Sequence, residues 1–196
     1  TQGGGTGGTG GGRGRAGGVG PGGATPPFDW EGADTWDAAL EGVDAGYVGD
    51  APDLAMPGAT DSIQAFVERA KARGVRRLVL LSGRGEPEAQ ACEGIVQRSG
   101  LEWTVVRASW FFQNFSEGAF TEMVRAGRIT LPAGDVPEPF VDVDDIAEVA
   151  TRALVESGHA GRVYEVTAPR AMTFSHPALG PSPATVRETG FPSVPH

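Results

Sequence analysis

Two short groups of small and polar residues, each placed directly after an apolar run, are the best candidates for chemistry in this sequence. The runs are 78–81 and 103–106, and the residues that follow them are Ser82, Gly83, Arg107, Ala108 and Ser109. A serine hydroxyl can hold a carbonyl or an amide by hydrogen bonds, although a Ser-Gly turn that merely ends a strand explains Ser82 equally well. The charge of Arg107 needs a partner, either a phosphate of a ligand or a structural carboxylate.

The elements around these residues predict how they are positioned. Apolar runs of about four residues flanked by Gly and Ser are typical of strands buried on both faces. Between them, Cys92, Ile95 and Val96 have the spacing of a helix that packs on a sheet. Such a strand–helix–strand unit builds a parallel sheet, whose ligands bind beyond the carboxyl ends of the strands. The sequence therefore predicts an α/β fold with a site at 82–83 and 107–109.

Further elements follow the same alternation. A helix with Ile63, Phe66, Val67 and Ala70 on one face should begin at Thr60 or Asp61, and a second helix should begin after a capping Ser116. Asp142 should cap a helix over 143–154, and the segment 162–166 is predicted to be a strand.

The remaining polar and aromatic side chains do not indicate a particular reaction. The residues after the second strand that could shape a substrate pocket are Trp110, Phe112 and Asn114, and ordinary packing explains the two aromatic residues equally well. The histidines and the single cysteine are scattered, and the carboxylates at 142–148 start a helix, where they favour its dipole. We predict no metal site and assign no catalytic residue.

Composition bounds the class of protein. The 196 residues carry a net charge of −9, which argues against nucleic acid or an anionic membrane as partner. A single Cys92 fits a reducing compartment, and we expect a cytoplasmic protein. The predicted organisation is a flexible Gly-rich segment over 1–25, a domain over 26–174 and an irregular Pro-rich tail over 175–196.

Several longer segments jointly resemble the NmrA-like branch of the atypical short-chain dehydrogenases/reductases. Three of them are GVRRLVLLSGRGEPEAQ, GLEWTVVRASWFFQNF and VYEVTAPRAMTF, and the resemblance covers roughly residues 27–174. It is strongest to NAD(P)H-binding oxidoreductases similar to ergot-alkaloid biosynthesis reductases and quinone reductases. It implies a Rossmann-like parallel sheet with flanking helices, binding NADP or NAD. The implied cofactor contacts are Ser82, Gly83, Arg107, Ala108 and Ser109, and the implied substrate contacts are Trp110, Phe112 and Asn114.

The chain departs from this family at both ends. Thr6-Gly7-Gly8-Thr9-Gly10 matches the first half of the family's phosphate-binding turn, but Arg13 stands at its third glycine position and no apolar strand precedes it. The sequence after 175 is Pro-rich where the family continues with a helix. We therefore expect a sheet incomplete at its N-terminal strands and at its C-terminus, and a truncated or frame-shifted origin of both ends is one hypothesis.

The acid of classical short-chain dehydrogenases is also missing. Their Tyr-x-x-x-Lys motif would need lysine four residues after a tyrosine, but Ala51 and Ala168 stand four residues after Tyr47 and Tyr164. The family resemblance implies hydride transfer between the nicotinamide and a small carbonyl, quinone or imine substrate. The alternatives are a non-catalytic NAD(P)-sensing regulator with a protein partner, and a remnant that binds no cofactor.

Overall fold

The structure, a computed structural model, describes residues 26–49, 53–118, 120–126, 129 and 136–174. A short 3-10 helix, Ala33–Thr35, precedes the regular elements. In chain order these are α1 (Trp36–Ala39), β1 (Ala45–Val48), α2 (Ala59–Ala72), β2 (Arg77–Gly83), α3 (Pro87–Gln97), β3 (Glu102–Ala108), α4 (Gln113–Ser116), α5 (Thr121–Arg125), α6 (Val143–Val155) and β4 (Arg162–Val166).

The four strands of the described residues form one parallel sheet in the order β1-β2-β3-β4. Helices connect them, as parallel neighbours require. The predicted α/β class with a Rossmann-like sheet is therefore confirmed. The segments predicted to be a Gly-rich lead and a Pro-rich tail lie outside the described residues, and the division into 1–25, 26–174 and 175–196 stays a prediction.

The two faces of the sheet are covered by different helices. Leu78 and Leu80 of β2 pack on the face that α2 and α3 cover. Val79 of the same strand packs on the opposite face with Val106 and with α6. This alternation follows from the two-residue period of a strand. It also explains why the strands read as continuous apolar runs, since both faces are buried.

Helix α2 has the predicted buried face, with Ile63, Phe66, Val67 and Ala70 inside. It begins at Ala59, close to the predicted start. The prediction for Ser116 was wrong, because Ser116 ends α4 and the next helix begins at Thr121. The amides of Glu117 and Gly118 both bond to the carbonyl of Gln113, so the chain turns there instead of starting a helix. A short strand that the sequence also predicts over 128–131 lies largely outside the described residues.

Within the described residues, no helix combines the length and the apolar character needed to cross a lipid bilayer.

Asp142 caps α6 as predicted. Its carboxylate accepts a hydrogen bond of 3.0 Å from the amide of Asp144 and one of 2.9 Å from the Gln113 side chain. We expect Asp142→Ala to lower the free energy of unfolding by about 1 kcal/mol, because an amide of the first turn loses its acceptor. Urea unfolding measures this, with Asp142→Asn, which keeps an oxygen acceptor, as the matched control. Equal losses in the two variants would contradict the capping role.

Candidate functional site

A cleft of about 190 Å³ opens at the carboxyl ends of β2 and β3. Its floor is formed by the ends of the two strands and its walls by the loops that follow them. The described residues that line it are Asp53, Leu54, Leu81, Ser82, Gly83, Arg84, Glu86, Ala108, Ser109, Trp110, Phe111 and Asn114. This is the edge of a parallel sheet at which ligands generally bind.

The structure brings most of the predicted site residues together at this cleft. Six of the eight line it, namely Ser82, Gly83, Ala108, Ser109, Trp110 and Asn114. Arg107 and Phe112 are not among its lining residues. Phe112 packs instead into an aromatic cluster, with its ring centroid 5.7 Å from that of Phe140. The binding roles of all eight residues stay predictions.

Arg107 meets a structural carboxylate, Glu93 of α3. Its guanidinium makes two hydrogen bonds, of 2.8 and 2.6 Å, to the two oxygens of a Glu93 side chain that is 1% exposed. The Ser82 hydroxyl donates a further bond of 2.6 Å to the same carboxylate. The hydrogen bonds to Glu93 raise the pKa of Arg107, outweighing its partial burial.

Strand register explains this grouping. Ser82, Arg107 and Glu165 are direct partners across β2, β3 and β4, so they form one row on the sheet face that α3 covers. Glu93 lies over this row, and Glu165 adds a weaker contact of 3.5 Å to Arg107. The hydroxyl of Ser82 is therefore engaged inside the protein, although other atoms of the residue reach the cleft.

Glu93 is a residue that sequence reasoning missed, but a signal was present. Ala89, Cys92, Glu93 and Val96 have the spacing of one helix face, and all four are buried. A carboxylate at a core position requires an internal partner of opposite charge. Arg107, the one charged residue directly after a buried run, was the natural candidate.

Ser109 is joined to a second carboxylate that the sequence did not reveal. Its hydroxyl donates a hydrogen bond to Glu138, and Ser109 itself is 3% exposed. Glu138 is fixed by two backbone hydrogen bonds of 2.9 Å with Met172. Because the proton of Ser109 is directed at Glu138, the hydroxyl can offer the cleft only an acceptor lone pair.

Trp110 forms an aromatic wall of the cleft. Its side chain is 45% exposed, which is unusual for so large an apolar residue. The indole stacks on Phe120 at a centroid distance of 5.5 Å and meets the edge of Phe174 at 5.6 Å. The backbone is held as well, since the carbonyl of Trp110 accepts a bond of 2.9 Å from Val141. The ring is thus held by two aromatic neighbours while nearly half of the residue stays exposed.

Glu86 places a carboxylate directly over the end of β2. A Cβ at position 83 would lie 1.9 Å from a carboxylate oxygen of Glu86, so the carboxylate occupies space that a residue larger than glycine would fill. Partial burial raises the pKa of Glu86, and the charges of Asp53 and Glu88 raise it further. Asp53 also lines the cleft, and its carboxylate accepts a bond of 2.9 Å from Ala55.

Because the pKa of Glu86 is raised, we expect that removing its charge stabilises the folded protein, and that this effect depends on pH. A carboxyl whose pKa is raised by folding ionises less readily in the folded chain, so its charge opposes folding at neutral pH. We expect Glu86→Gln to raise the midpoint of thermal unfolding at about pH 7, and this difference to shrink as the pH falls to about 4 and the carboxyl becomes protonated.

The control for the loss of one negative charge is Glu41→Gln, an exposed carboxylate in the turn after α1. The explanation would be contradicted if Glu86→Gln raised the midpoint of thermal unfolding equally at the acidic pH. It would also be contradicted if Glu41→Gln raised the midpoint by the same amount.

Comparison with known proteins identifies the fold and its relatives. Over 173 residues the chain is 31% identical to an NAD(P)H azoreductase of Xenophilus azovorans, a match that covers 82% of this chain and 58% of the azoreductase. Over 149 residues it is 33% identical to prestalk A differentiation protein A of Dictyostelium discoideum, covering 75% and 49% of the two chains. An Escherichia coli NADPH-dependent quinone oxidoreductase, solved with NADPH, superposes with a TM-score of 0.62 at 23% identity, covering 77% and 55%.

The resemblance to NmrA-like reductases is confirmed. The chain spans about half the length of the curated relatives it matches. No family model matches the chain.

Proposed function

We propose that the chain is an NAD(P)-dependent reductase of the NmrA-like type, which transfers hydride from the nicotinamide to a small substrate in the cleft. The observation that carries this proposal is the position of the cleft. It lies at the carboxyl ends of neighbouring parallel strands, with small residues at its floor and an exposed Trp110 at its wall. Similarity to an azoreductase and to a quinone oxidoreductase supports the same reaction type.

The described residues suit the nicotinamide end of such a cofactor. A cleft of about 190 Å³ is smaller than the roughly 300 Å³ at which pockets for drug-sized ligands begin, so it suits a ring and a small substrate better than a whole dinucleotide. Gly83 and Ala108 leave room at its floor, and the backbone of 82–84 and of 108–109 could hold the ring. The glycine turn at 6–10, which would meet the phosphates, lies outside the described residues.

In this proposal the cofactor, NADP or NAD, supplies the hydride, and the protein supplies position and polarity. Trp110 would stack against a flat substrate, and Ser109 would accept a hydrogen bond from the carboxamide or from the substrate. Arg107 and Glu93 would act indirectly, by fixing β3 and α3 beneath the cleft. The proposal covers carbonyl, quinone and imine substrates.

Calorimetric titration with NADPH and NADH, followed by a turnover assay with menadione, an azo dye and an iminium salt, tests the proposal. We expect saturable micromolar binding and oxidation of the reduced cofactor with at least one acceptor. Trp110→Leu should raise KM, whereas Val155→Ala, which trims an apolar side chain that is 73% exposed on α6, should not. A folded chain that binds neither cofactor would overturn the proposal and favour a remnant without cofactor function.

A second function is favoured by one observation. The relative from Dictyostelium discoideum is named for a role in differentiation and not for a reaction. Saturable cofactor binding without turnover of any acceptor would support an NAD(P)-sensing regulator that acts through a protein partner.

A further inference from the structure

Two serine–glutamate pairs lie near the carboxyl ends of β2 and β3, and they differ in their access to solvent. The Ser82 hydroxyl donates to Glu93, which is 1% exposed and also binds the guanidinium of Arg107. The Ser109 hydroxyl donates to Glu138, which is partly exposed. None of the ion pairs among the described residues involves Glu138. Of these two carboxylates, Glu138 is therefore the one that can exchange a proton with water, since Glu93 is buried in an ion pair.

The Ser109 hydroxyl connects this carboxylate to the cleft. Ser109 lines the cleft directly after β3, whereas Glu138 is not among the lining residues. Backbone hydrogen bonds hold both residues, because the amide of Ser109 bonds to the carbonyl of Val166 at 3.2 Å and Glu138 pairs with Met172. A hydroxyl can accept one hydrogen bond while it donates another, so Ser109 can pass a proton between a ligand in the cleft and Glu138.

Reduction of a carbonyl compound in this cleft needs such a proton. The carbonyl carbon receives hydride from the reduced nicotinamide, the π electrons of the C=O bond move to oxygen, and that oxygen must then be protonated. Among the described residues that line the cleft there is no histidine, lysine, tyrosine or cysteine to supply the proton. Ser109 can supply it if its own oxygen is reprotonated in the same step, because a buried serine alkoxide would be costly.

We propose that Ser109 is a catalytic residue, which gives its proton to the substrate oxygen while the carboxyl of Glu138 gives a proton to Ser109. This proposal rests on the proposed reductase function and assigns the proton-transfer step of that reaction. One O–H bond of Ser109 breaks as another forms, and Glu138 becomes a carboxylate that water then reprotonates. Glu138 acts through Ser109 and is a positioning residue.

Binding of a product-like alcohol to the full chain without cofactor tests this geometry. With Glu138 ionised, Ser109 donates to it, as in the structure, and offers a lone pair to the hydroxyl of the product. We expect calorimetry to show 1-tetralol binding about threefold to tenfold more tightly than 1-methoxytetralin, which has no hydroxyl proton to donate. Ser109→Ala should abolish this preference, and Ser109→Thr, which keeps a hydroxyl, should restore it. Equal binding of the two compounds to the native chain overturns the proposal.

Turnover with NADPH tests the proton transfer itself, with one acceptor that needs a proton and one that does not. 1-Tetralone takes up a proton at oxygen, whereas N-methyldihydroisoquinolinium gains hydride at carbon and becomes a neutral amine without one. We expect Ser109→Ala to lower kcat for tetralone about 100-fold and kcat for the iminium ion less than about threefold. Glu138→Gln should also lower kcat for tetralone selectively. Glu117→Gln, the same change at an exposed position after α4, is the matched control and should change neither rate.

The outcomes separate the proton path from the reductase function. Selective loss of tetralone reduction in the Ser109 and Glu138 variants supports both. Equal losses for the two acceptors would give these residues a structural role, and selective loss in Glu86→Gln but not in Ser109→Ala would make Glu86 the acid. Either result overturns the proton path, as does a native chain that reduces the iminium ion and not tetralone, while the reductase function survives. A native chain that oxidises NADPH with no acceptor overturns both.

Discussion

Replacing Arg107 with alanine should lower the free energy of unfolding by about 3 to 5 kcal/mol, because it leaves the carboxylate of Glu93 buried without its partner. Glu93 is 1% exposed, and among the described residues Arg107 supplies two of the three hydrogen bonds to its carboxylate. The remaining bond, from Ser82, is too little to stabilise an ionised group in the interior. Urea unfolding followed by circular dichroism measures the loss.

A double variant tests whether the loss of stability comes from the unpaired charge of Glu93. Glu93→Leu combined with Arg107→Met removes both charges and should recover most of the lost stability, because apolar residues of similar volume can replace a buried ion pair. Arg107→Lys should fall between, since an ammonium cannot reproduce the two-pronged contact. If Arg107→Ala lowers the free energy of unfolding by less than about 1 kcal/mol, Glu93 must be solvated by water or bound by another partner. That result would contradict a structural role for the paired residues Ser82 and Arg107.

Phe140→Ala should cost about 3 to 5 kcal/mol, the usual range for truncating a buried aromatic side chain. Phe140 is fully buried, and its ring centroid lies 5.7, 5.3 and 5.0 Å from those of Phe112, Phe115 and Phe174. The cluster joins α4 to the segments 136–141 and 172–174. Those segments hold Glu138 against Ser109 and the edge of Phe174 against Trp110.

This variant should therefore change the cleft as well as the stability. We expect the fluorescence of the tryptophans to shift as Trp110 loses its fixed environment, together with weaker ligand binding. Val136→Ala is the matched control on the same segment, because Val136 is 58% exposed and its truncation should change stability by less than about 0.5 kcal/mol. A loss for Phe140→Ala that is no larger than this control would contradict the role of the cluster.

Both predictions concern side chains that join parts of the chain distant in sequence, and the sequence did not predict their contacts. The helix of Ile63, Phe66, Val67 and Ala70 was predictable because its apolar period is local. The cap at Asp142 was predictable for the same reason, since a cap bonds to an amide only two residues away. The predicted helix start at Ser116 was wrong because a serine that could cap a helix does not by itself show where the helix begins. Here the chain first turns, and the helix begins at Thr121.

The position of the cleft was also determined by the sequence. Apolar runs that end in Ser82-Gly83 and Arg107-Ala108-Ser109 define the carboxyl ends of two strands, and parallel pairing brings those ends together. What each side chain does at that edge was not determined. The Ser82 hydroxyl and the Arg107 guanidinium bond to Glu93, although Ser82 also lines the cleft, and Phe112 packs in the aromatic cluster.

The sequence by itself thus determined the α/β class, the faces of the main helices and the edge of the sheet that carries the site. These features depend on residue periods of two and 3.6, which are read over a few neighbouring residues. Tertiary structure alone decided the pairings of Arg107 with Glu93 and of Ser109 with Glu138, which join residues 14 and 29 positions apart. Strand register and the packing of helices and loops on the sheet select such partners, and no local period encodes them.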